Sequence, residues 1–258
     1  IMKIRNLLVM AAFLMLFSCA EKRANPLIQN LDKSWIVTTD TLNIKMEVDI
    51  PSVIQADMYE NGLIPHPYKS NIESQLHWIP QHEWEYSLDF KAEDYILRED
   101  VIELVFEGLD TYADVWMNGK KILHADNMFR TYSYDVKDII KETNNIKIKF
   151  YPFDKERDSL IETYPLRFPE KYAVMRKAAY QNGWDWAPRY MNMGIWQPVY
   201  LKAWTRSTIC SASVITNEIH DDKADLFFEA CINADVEHDI TLQLFQENEK
   251  ILDKNIDL

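Results

Sequence analysis

The sequence predicts an all-β chain built around an antiparallel sandwich, and three observations carry that prediction. Trp84, Tyr86, Leu88 and Phe90 alternate with Glu85, Ser87, Asp89 and Lys91. A period of two puts one face of a strand in a core and the other in water. Asn118-Gly119, between VWM and KKIL, is a hairpin signal, because a type I′ turn needs positive φ twice in succession. Short strands with turn signals and no alternating helices complete the pattern of a sandwich.

From the N-terminus, residues 1–18 read as a targeting segment. Lys3 and Arg5 make a short basic start, and Leu7 to Phe17 is an apolar run too short to span a bilayer. Leu16-Phe17-Ser18-Cys19 matches a bacterial lipobox, so Cys19 is expected to be lipidated and to become the new N-terminus. Such a chain adds membrane affinity without a spanning helix. Ala20 after the cysteine points to the cell envelope, with the outer membrane as destination. Residues 19–30 are expected to be a linker.

The strands follow. Met46, Val48 and Ile50 alternate with Lys45, Glu47 and Asp49, and Ile146, Ile148 and Phe150 with Lys147 and Lys149. Residues 52–64 predict a short helix capped by Ser52 and ended near Gly62. Residues 152–182 hold no convincing strand, and Pro165 and Pro169 prevent a long helix. A loop of that length in a compact domain is functional or disordered. Tyr164, Phe168, Tyr172 and Tyr180 favour order. After Trp204, STICSASVIT, ADLFFEACIN and ITLQLFQ read as three further strands, with Leu226, Phe228, Ala230 and Ile232 turned to a core. Three strands cannot close a sandwich of about seven, so this tail is expected to be incompletely buried.

The long loop runs into Gly183-Trp184-Asp185-Trp186-Ala187-Pro188-Arg189, with Arg176 just upstream. Indole faces cover the C–H side of a pyranose, and a carboxylate accepts hydrogen bonds from its hydroxyls. The plainer alternative makes the tryptophans core and Asp185 a turn residue.

Charge excludes one class of partner. Losing residues 1–18 removes Lys3 and Arg5 and no acid, taking the net charge from −13 to −15 on 240 of the 258 residues. Such a chain repels nucleic acid, and its dispersed lysines and arginines form no basic stripe. Six histidines without metal-ligand spacing, and thiols without zinc-site spacing, lead us to expect neither metal nor cofactor. Cys210 and Cys231 are expected to be buried free thiols, although an oxidising compartment permits a disulfide.

Taken together, Arg176-Lys177, Gly183-Trp184-Asp185-Trp186, Pro188-Arg189 and Gly194-Ile195-Trp196 resemble the signature of β-mannosidases in glycoside hydrolase family 2. Asn182, Ala187 and Gln197 depart from it, where Phe, Gly and Arg are usual. GLIPHPY (62–68), HWI (77–79), HEWEYSLDF (82–90), FEGLDTYADVWMNG (106–119) and DNMFRTYSYDV (126–136) extend the likeness in the same order, with His66 at a place that is more often acidic. The resemblance implies a jelly-roll, galactose-binding-like sandwich over 31–205 and a partial immunoglobulin-like sandwich over 206–258. It also implies a catalytic barrel beyond Leu258 as the intramolecular partner, carrying both catalytic glutamates. No catalytic residue is therefore expected in this chain, which alone should be inactive. Asp185 is expected to accept hydrogen bonds from a terminal β-mannosyl unit of an oligosaccharide. Trp184 or Trp186 would form an apolar wall, and Arg176 would orient Asp185, donate to a hydroxyl, or hold the loop by a salt bridge.

Overall fold

The computed structural model describes residues 26–39, 41–163, 171–234 and 239–257. The targeting segment, Cys19, Tyr164, Pro165, Phe168 and Pro169 lie outside them. The strands are β1 (Leu27–Asn30), β2 (Trp35–Thr39), β3 (Ile44–Val48), β4 (Trp84–Lys91), β5 (Val101–Phe106), β6 (Leu109–Asp110), β7 (Ala113–Met117) and β8 (Lys120–Ala125). They continue as β9 (Tyr132–Asp135), β10 (Thr143–Phe150), β11 (Gly194–Ile195), β12 (Val199–Trp204), β13 (Ser207–Ile219), β14 (Ala224–Ala234), β15 (Asp239–Gln246) and β16 (Glu249–Asp257). The α-helices among the described residues are α1 (Ile54–Glu60), α2 (Ile72–Gln75), α3 (Asp94–Leu97) and α4 (Phe153–Thr163).

Two sheets face each other across one core. The larger has the order β3-β2-β4-β10-β7-β8, the smaller β1-β12-β5-β9, and β6 pairs with β11 beside them. Strand β10 shows why the alternation works. Its Ile146, Ile148 and Phe150 stand opposite Leu88, Tyr86 and Trp84 of β4, and all six are buried. On the wet face Lys147 pairs with Glu85 at 2.9 Å and Lys149 with Glu83 at 2.7 Å. Full burial of each large apolar side chain contributes roughly 1.5–3 kcal/mol, far more than an exposed ion pair.

The turn after β7 forms as read, with Asn118 at φ 51° and Gly119 at φ 83°. The Asn118 side chain also accepts from the Asn145 backbone N–H at 3.0 Å and donates to Asn144 Oδ1 at 2.9 Å, tying the turn to β10.

Four local readings change. Residues 27–30, read as the end of a linker, are strand β1. They pair with β12, and Gln29 bridges the Lys91 carbonyl and the Glu93 N–H, partners remote in sequence. Helix α1 is capped at an extended Val53, which has no polar side chain to offer, and the Ser52 hydroxyl before it donates to the Asp57 carboxylate one turn on. Residues 153–163, within the stretch read as loop, fold as α4, anchored by buried Phe153. Cys210 and Cys231 are free but exposed, since both lie on a hairpin that no other layer covers among the described residues.

That hairpin, β13–β14, and its neighbour β15–β16 each form a separate two-stranded sheet. Val214, Ile215, Phe227, Phe245 and Ile251 are exposed on them, and so is Leu226, while Phe228, Ala230 and Ile232 are half-buried.

Candidate functional site: an exposed turn on a buried anchor

Between β10 and β11, described residues on either side of a turn are gathered around Asp110 of β6. Lys177 reaches inward with a side chain of zero exposure and forms an ion pair with Asp110, itself 1% exposed. The Lys177 ammonium also donates to the Asn192 carbonyl at 2.6 Å and to the Thr111 hydroxyl at 3.5 Å. The amide of Gln181 donates to the other Asp110 oxygen at 3.1 Å and accepts from the Asn192 N–H at 2.9 Å. Residues 177 and 181 on one side of the turn are thus fastened to one carboxylate, and 192 on the other side is bonded to both of them.

Burial pulls the Lys177 ammonium below the usual lysine range, against the opposing field and hydrogen bond of Asp110. A charge pair this deep is tolerable only because its hydrogen-bonding capacity is used.

Above that anchor, Trp184 and Ala187 exchange backbone hydrogen bonds of 3.0 and 3.1 Å, closing a tight turn with Asp185 and Trp186 at its corners. Gly183 enters the turn at φ +85°, where a Cβ would also meet Arg189 Cβ at 3.2 Å. The two indoles lie edge to face, with centroids 5.9 Å apart. Trp184 is 59% and Trp186 83% exposed, and Asp185 is exposed between them. The tryptophans are not core, against one half of the plainer reading, while Asp185 does stand at the corner of a turn, as its other half has it.

The far side of the turn rests on the segment around α1 and α2. The Arg189 N–H donates to Glu73 Oε1 at 3.0 Å. The hydrogen bond from His77 first, then that from Arg189, holds the Glu73 carboxyl below its usual range. Tyr190 donates its hydroxyl to the Pro67 carbonyl, and Gln55 donates to the Met191 carbonyl at 2.7 Å. In α1 the Asp57 carboxyl is pushed up to about 6 by burial, with hydrogen bonds from Ser52 and Tyr86 opposing the shift.

Of the four residues expected at the site, Trp184, Asp185 and Trp186 come together on the turn. Arg176 is exposed at the loop's entry, where its backbone bridges Asn127 and its carbonyl accepts from the Met128 N–H at 3.0 Å. Among the described residues no ion pair joins Arg176 to Asp185. The residue that fixes the loop is its neighbour Lys177, which sequence reasoning passed over along with Gln181 and Asp110. No local signal marks it, because the partner that buries Lys177 is 67 residues away.

A family model described as the glycosyl hydrolase 2 galactose-binding domain-like family matches residues 30–197. The chain is 29% identical over 187 residues to a β-mannosidase of Mus musculus, an alignment covering 68% of this chain and 21% of that protein. It is 31% identical over 182 residues to β-mannosidase A of Emericella nidulans, covering 66% and 19%. The chain spans about a fifth of the length of these curated relatives. Among solved structures, β-D-mannosidase from Dictyoglomus thermophilum superposes with a TM-score of 0.82 at 28% identity, over 90% of this chain and 29% of that one. The exo-chitosanase of Amycolatopsis orientalis shares the fold, with a TM-score of 0.65 at 21% identity over 91% and 27%.

Proposed function

Because the chain belongs to the glycosyl hydrolase 2 galactose-binding domain-like family, we propose that it is the N-terminal part of a retaining exo-β-mannosidase. In that reading it shapes the subsite for a terminal non-reducing β-D-mannosyl unit. One observation carries the reading: a single exposed carboxylate, Asp185, held between two exposed indoles on a turn anchored from below.

Asp185 accepts hydrogen bonds from sugar hydroxyls, and Trp184 or Trp186 covers the apolar ring face. Arg176, at the loop's entry and free of an ion pair to Asp185, is left to donate to a hydroxyl. The acid/base and nucleophile carboxyls of a retaining mechanism belong to a catalytic barrel, which closes over the exposed turn. Residues 206–258 are the beginning of an immunoglobulin-like domain in the same reading. Cys19 is a lipid anchor to the cell envelope, and Cys19→Ser should abolish metabolic labelling with a fatty-acid analogue.

The test is a substrate panel. An enzyme carrying this chain together with its barrel should turn over an aryl β-mannoside at least about tenfold faster, by kcat/KM, than the β-glucosaminide or β-glucuronide. A β-glucosaminide preference would replace mannose by another hexose. Turnover by residues 20–258 alone would refute the division of labour.

A further inference from the structure

Outside the turn, the two thiols of the β13–β14 hairpin form a pair. The ladder joins Ile209 to Ile232 and Ser211 to Cys231, leaving Cys210 as the extra residue of a bulge. A bulge sets two residues opposite one, so Cys210 shares Cys231 with Ser211 as its neighbour across the strands. The ladder's facing pair is Ser211 and Cys231, and the Cys210 thiol of the bulge is itself within hydrogen-bonding reach of the Cys231 side chain, the closeness a disulfide needs. Both thiols are exposed among the described residues, so an oxidant reaches them in this chain. Desolvation, and then the adjacent Cys231 side chain, push the Cys210 thiol above its ordinary range, as expected of two sulfurs side by side.

We propose that Cys210 and Cys231 are a modification site, closed into an intramolecular disulfide by a small-molecule disulfide such as oxidised glutathione. One protein thiolate attacks a glutathione sulfur, breaking its S–S bond and releasing one glutathione thiolate. The second protein thiolate attacks the resulting mixed disulfide and releases the other. The protein loses two electrons and both thiol protons, and glutathione disulfide becomes two glutathione thiols. Because the thiolate is the attacking form, the raised Cys210 thiol makes closure faster as pH rises. The bond lies where the hairpin leaves the sandwich, two residues after buried Thr208, and ties β14 to the anchored end of β13.

The test uses the full chain carrying Cys19→Ser, so that only these two thiols report. After incubation with oxidised glutathione, tryptic cleavage at Arg206, Lys223 and Lys250 separates the cysteines into Ser207–Lys223 and Ala224–Lys250. The expected product is this peptide pair joined, lighter than its sum by two hydrogens, from a chain that remains monomeric on a non-reducing gel. The same incubation in denaturant should yield about tenfold less joined pair relative to glutathione adducts, because the open loop must first be closed. Adducts on both cysteines, disulfide-linked dimers, or equal yields in denaturant would overturn the proposal.

Discussion

The base and the tip of the loop before β11 are close in sequence and opposite in environment. At the base, Lys177 and Asp110 are sealed from water, and every strong partner they have belongs to the protein. At the tip, Asp185 and two indoles face solvent, held by backbone bonds and one ring contact within the turn itself. Charge placed where water cannot reach fixes position, and charge left in water remains available to a ligand. The comparison predicts that substitutions at the base will be read in stability and those at the tip in binding.

The largest effect should come from breaking the anchor. Lys177→Met leaves Asp110 buried without its counter-charge, which costs roughly 3–5 kcal/mol. Urea melts should show a lower midpoint with an unchanged slope, and Asp110→Asn in the same chain should recover part of the loss. If Lys177→Met melts like the parent, the anchor is not what holds the loop.

A smaller effect belongs to Asp57, under the loop's far side. Its folded value of about 6 lies above the ordinary aspartate value of 3.8, so the folded chain holds the proton more tightly than the unfolded one. The stability this provides is complete at acid pH and is lost as pH rises from about 4 through about 6. The loss is on the order of 2–3 kcal/mol. Asp57→Asn should flatten that part of the stability profile and raise stability at neutral pH. A profile identical to the parent's would mean that Asp57 titrates normally.

Next comes Gly183→Ala, which forces a side chain into a backbone region used essentially by glycine. It should cost roughly 1–3 kcal/mol by thermal melt. The smallest change in stability is expected of Trp186→Ala, within about 0.5 kcal/mol, because an 83% exposed ring has little packing to lose. A larger loss would make the indole part of the scaffold.

The sandwich was legible because its long strands β4 and β10 bury one face and repeat that fact every second residue. Trp84 to Phe90 and Ile146 to Phe150 needed no knowledge of their partners, and Asn118-Gly119 carried its turn in its own backbone preference. The tip was legible for a similar reason, since a carboxylate between two tryptophans and a glycine is a local pattern. What was hidden depends on distant partners. Nothing in R-K distinguishes exposed Arg176 from buried Lys177 until β6 brings Asp110 beneath it. Strand β1 is too short and polar to announce itself before β12 is present. The Ser52 cap failed by one residue: the helix starts after Val53, and the Ser52 hydroxyl donates to Asp57 instead of accepting from the first turn.

If the tip binds sugar while the base holds it in place, Asp185→Ala should separate the two roles in one enzyme. In an enzyme carrying this chain with its barrel, kcat/KM on an aryl β-mannoside and the thermal melt should be measured on the same preparation. A flattened oxocarbenium-like ring draws more from a fixed acceptor than the ground state does. We expect kcat/KM to fall by well over tenfold, more than about 1.4 kcal/mol, with an unchanged melt. Parental kcat/KM with an unchanged melt would contradict the claim and leave Asp185 as a turn residue.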